Sequence, residues 1–67
     1  MTSGNKYTEA HANIKKIFEV LNHFNAQEVC IFYAAGLYEA DKIDADEREE
    51  LFEYINKLFV KKHLGIL

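Results

Sequence analysis

Apolar residues recur along the first third of the chain at Ala10, Ile14, Ile17, Leu21 and Phe24, a 4-3-4-3 spacing joined by Phe18 and Val20. Steps of three and four return a side chain to one side of a 3.6-residue helix, so the spacing predicts an amphipathic helix from about 8 to 23. A second series, Leu51, Phe52, Ile55, Leu58 and Phe59, follows Asp44-Ala45-Asp46-Glu47. That tetrapeptide has the shape of a capping box: a side-chain oxygen takes the amide three residues on, and the Glu reaches back. It predicts a helix over 45–63. Acids near its start (Asp46, Glu47, Glu49, Glu50) and bases at its end (Lys61, Lys62, His63) follow the order the helix dipole favours. Gly65 stands where a left-handed residue closes a helix, with Ile66 placed to fold back onto Val60.

Between these lies Val29–Tyr38, VCIFYAAGLY, ten residues without a charge. A membrane helix needs roughly 20 apolar residues, and this run is bounded directly by Glu28 and Glu39. Val29 to Tyr33 is β-branched and aromatic enough for a buried strand. The helix reading prevails on context. Asn25-Ala26-Gln27-Glu28 repeats the capping shape, Ala34 and Ala35 favour helix, and there is no proline in the chain. A helix over 26–40 places Ala26, Val29, Cys30, Tyr33, Leu37 and Ala40 on one stripe, and Ile31, Phe32, Ala35 and Tyr38 elsewhere. Only Gln27, Glu28 and Glu39 interrupt its apolar surface.

One account of that surface is a middle helix wedged between its neighbours, with tyrosine hydroxyls reaching water. The other is an interface, which the small residues Ala34, Ala35 and Gly36 favour by letting another helix approach closely. Single cores below about 70–80 residues rarely supply more than 3–5 kcal/mol unaided. The expected fold is therefore all-α, a small three-helix bundle completed by homodimerisation, with Ile31, Phe32, Ala35 and Tyr38 at the two-fold interface.

Composition narrows the class. The chain has 67 residues, of which 49% are hydrophobic, enough for one globular domain spanning 1–67 and too apolar for disorder. A single cysteine excludes an internal disulfide, and the polar start Met1–Lys6 has no secretory h-region, which together point to the cytoplasm. Charge is unevenly placed. From Glu39 to Glu53 eight acids face two bases, a local net of −6 within an overall net of −3. Taken singly, these acids are capping and dipole residues of a solvated turn. As a cluster, Asp41, Asp44, Asp46, Glu47, Glu49 and Glu50 repel nucleic acid and attract a basic protein surface. A helix-turn-helix reading of the last two helices fails on the same acids, which would lead the groove-entering helix.

Candidate chemistry is thin. Asp44 and Asp46 echo a calcium loop, but Arg48 stands at a ligand position and Glu49 where the turn glycine belongs. Glu19 and His23, four apart, make only two metal ligands. Cys30 lies on the core stripe, where an inert thiol is the common case. His11 and His63 read as surface groups. The three glycines stand apart, so there is no phosphate loop, and three short helices do not easily enclose a pocket. No enzyme, metal site or cofactor is expected. Small acidic helical bundles recur among immunity proteins, antitoxins, secretion chaperones and phage-encoded inhibitors, a likeness of type only. The expectation is a binding protein that regulates or inhibits another protein by covering a basic surface, as a DNA mimic occupies a nucleic-acid-binding groove. The alternative is a scaffold protomer whose apolar helix serves only its own oligomer.

Overall fold

The computed structural model describes residues 3–66, with side chains from Lys6 onward. Three helices, α1 (Ser3–Val20), α2 (His23–Glu39) and α3 (Ala45–His63), account for nearly all of them, and there is no strand among the described residues. α1 and α3 run in the same direction with α2 reversed between them, in a body of 37 × 18 × 16 Å.

The start of α3 is as the sequence predicts. The Asp44 carboxylate accepts from the Glu47 amide at 2.8 Å, and the Glu47 carboxylate accepts from the Asp44 amide at 3.0 Å. Its end also conforms: Gly65 takes φ +79°, Ile66 N–H donates to the Lys61 carbonyl and Gly65 N–H to that of Lys62. Ile66 is nevertheless exposed.

Other boundaries differ. α1 begins at Ser3, five residues before the expected start, because Ser3 to Tyr7 is polar and carries no periodicity to read. It stops at Val20, not near His23. The Lys62 ammonium reaches back from α3 and donates to the carbonyls of Phe18 and Leu21, satisfying groups that a longer helix would have bonded itself. The cap of α2 is Asn22, not Asn25: the Asn22 side chain accepts from the Asn25 amide at 2.9 Å. Capping one turn earlier brings His23 and Phe24 into α2 and sets Phe24 edge-on to Phe59, ring centres 5.7 Å apart. Phe24 therefore leaves the α1 stripe, and Val20, also expected there, is 80% exposed.

The core consists of Ala10, Ile14 and Phe18 from α1, Ala26, Cys30 and Ala34 from α2, Leu51, Ile55 and Leu58 from α3, and Ile43 from the α2–α3 turn. α2 contributes only small residues, at four-residue spacing, which bring its backbone close to both neighbours. Its larger side chains are left at the rim or outside. Tyr33 and Leu37 are half-buried, whereas Val29 and Ala40, expected in the stripe, are exposed.

Candidate functional site: the outer face of α2

The uncharged run buries its small residues and presents its large ones. Phe32 is 69% exposed, Ile31 and Val29 about two-fifths exposed, and Tyr38 somewhat less. Ala35 is half-buried beside them. Of the four positions expected at an interface, Phe32 and Ala35 lie on the side of α2 away from Cys30, whereas Ile31 and Tyr38, one and eight positions beyond it, fall about a quarter-turn round, at the flank toward α3.

Two of the four are also engaged inside the molecule. Ile31 lines a shallow groove of about 280 Å³ between α2 and α3, together with Gln27, Phe52, Ile55 and Asn56. Tyr38 lies under the Arg48 guanidinium, whose centre is 4.3 Å from the ring. The same guanidinium reaches Phe52 at 5.8 Å and pairs with Glu49 at 3.3 Å. Phe32 has no such role.

The acidic turn is largely employed by the fold. Asp44 and Glu47 form the capping box, Glu49 pairs with Arg48, and Glu50 accepts a hydrogen bond from the Tyr7 hydroxyl at 2.8 Å. That bond, and to a lesser degree burial, raises the pKa of the Tyr7 phenol. Asp41 and Asp46 remain without a partner among the described residues. Asp41 sits at φ +60°, the left-handed position after the α2 cap, where Lys42 and Asp41 amides close the helix on the Leu37 and Tyr38 carbonyls.

Sequence reasoning missed the aromatic ladders. His11, expected as a surface group, stacks on Tyr54 with centres 3.7 Å apart. At the opposite end His63 Nδ1 lies 3.2 Å from His23 Nε2, with both rings set against Phe59. The signal lay in the i, i+4 pair Phe59 and His63, but its partner His23 stood on a different helix. Glu19 and His23, considered as a metal pair, fall on separate helices, and no group of three or more metal-ligating side chains occurs among the described residues. The Cys30 thiol is fully buried, and burial pushes it up to about 11.

No helix among the described residues is long and apolar enough to cross a membrane. Fold and surface together define a small three-helix protein with an uncovered apolar helix face. No protein-family model, curated protein or solved structure matches the chain.

Proposed function

We propose that the protein is a non-enzymatic interaction module that regulates or inhibits another protein by covering it, with α2 as the docking helix. The observation that carries this reading is the inversion on α2, where Ala26, Cys30 and Ala34 are buried while Phe32 is 69% exposed. A phenyl ring gains nothing from water, and interface energy concentrates in buried aromatics, so Phe32 is the anchor, with Ile31, Ala35 and Tyr38 around it. The free acids steer the approach of a basic surface, such as a nucleic-acid-binding groove, and set the salt dependence of association. The cytoplasm suits a chain whose only thiol is unpaired and buried.

A second reading, self-association through the same face, is favoured by the amount of apolar side chain left uncovered on so small a core. The test is a quantitative pull-down at two salt concentrations with Phe32→Asp and with Asp41→Asn/Asp46→Asn. These two acids are chosen because neither carboxylate makes a capping bond. The proposal expects a specific heterologous partner that Phe32→Asp loses and that the double variant binds more slowly. Retention of every captured protein by Phe32→Asp defeats it.

A further inference from the structure

The strip at the centre of α2's outer side reads Glu28, Phe32, Ala35, Glu39, at i, i+4, i+7 and i+11. Eleven residues are just over three full turns, so the two carboxylates lie close to one line about 16 Å apart, with Phe32 and Ala35 between them. Both are exposed, and neither has a partner among the described residues. α2 contains no Lys or Arg. The strip is thus an apolar centre with a free negative charge at each end.

That arrangement discriminates between occupants. In a two-fold dimer whose α2 helices run antiparallel about the strip's centre, Glu28 of each copy faces Glu39 of the other, and Phe32 faces Ala35. If they run parallel, Glu28 faces Glu28 and Glu39 faces Glu39. Either symmetry sets carboxylate against carboxylate at both ends, and sliding the register to part them uncovers the phenyl rings. A helix with cations eleven residues apart and small apolar residues between them meets charge with opposite charge at both ends, in either direction.

We propose that this strip is a docking site for a basic amphipathic helix of a partner protein and not for a second copy of the chain. The proposal rests on the reading of α2 as the docking helix and adds the chemistry of what docks there.

The test uses the full chain and two synthetic helical peptides. One carries Arg at two positions eleven residues apart with Leu and Ala between them on that side; the other carries Glu at those positions, and both are matched in helicity. Calorimetry at low salt should show the Arg peptide binding about tenfold or more tightly, since two ion pairs replace two repulsions. The preference should shrink in Glu28→Gln/Glu39→Gln and with added salt, and Phe32→Asp should abolish binding while circular dichroism shows the fold intact. Equal affinity for the two peptides, lost in Phe32→Asp, overturns this inference but leaves the docking role of α2 standing. Absence of Arg-peptide binding at millimolar concentration also overturns it. A wild-type dimer in sedimentation equilibrium that Phe32→Asp dissociates overturns both.

Discussion

Asp41 and Cys30 are single residues whose local setting makes a measurable claim. Asp41 occupies the left-handed position that closes α2, where a side chain with a Cβ is strained, and its negative charge lies at the negative end of the helix dipole. Asp41→Gly should therefore stabilise the fold by about 0.5–1 kcal/mol in chemical denaturation, and a neutral or lower midpoint contradicts that account. Cys30 is buried as the neutral thiol, with its pKa raised from 9.0 to about 11. The folded state then holds a proton that the unfolded chain loses, so this contribution is complete below pH 9 and is lost as pH rises toward 11. Stability should fall over that window and fall less in Cys30→Ala, and thiol reagents should label the native protein only as fast as it opens. The phenols of Tyr7 and Tyr54, also raised, add to the same slope in both proteins.

Among the elements, α2 is the one whose sequence and structure part most instructively. Its helical state was legible in the missing proline, the alanines and the flanking acids. The side it buries was legible in outline, since Ala26, Cys30, Tyr33 and Leu37 face the core as their spacing predicts, but the centre of the stripe was not: with only Gln27, Glu28 and Glu39 for polar contrast, the choice between Val29 and Ala34 fell to side-chain size, because Ala26, Cys30 and Ala34 allow the closest approach of backbones. α3 was legible from cap to terminal glycine because polar signals mark both of its ends. Asn22 and Asn25 offer equal caps three residues apart in the sequence, and it is the packing of His23 and Phe24 on Phe59 and His63 that goes with the earlier one. Ile43, a lone apolar residue in a charged turn, has no periodicity to mark it, yet it is 4% exposed. Gly36 remains unexplained by the fold: it is exposed within α2, and a Cβ added there meets nothing within 4 Å. Gly36→Ala should raise stability by roughly 0.5–1 kcal/mol, read as a higher melting temperature. A clash-like loss of stability is the outcome that contradicts this.

On the scale of the whole molecule, α3 ties the bundle together at both ends. At one end Glu50 holds Tyr7 and Tyr54 stacks on His11. At the other, Lys62 bonds two carbonyls at the end of α1, and His63 meets His23. Lys62→Met keeps most of the side chain's apolar stem but removes both charge-assisted bonds. The substitution should cost about 1–3 kcal/mol and speed amide exchange in the last turn of α1 before the rest of the bundle; uniform exchange contradicts the local role. The Lys62 tie also makes closure of the fold wait on its last helix. The end of α1 is fastened by a residue of α3, so a chain in which α3 has not yet formed leaves the faces of α1 and α2 that α3 covers open to solvent.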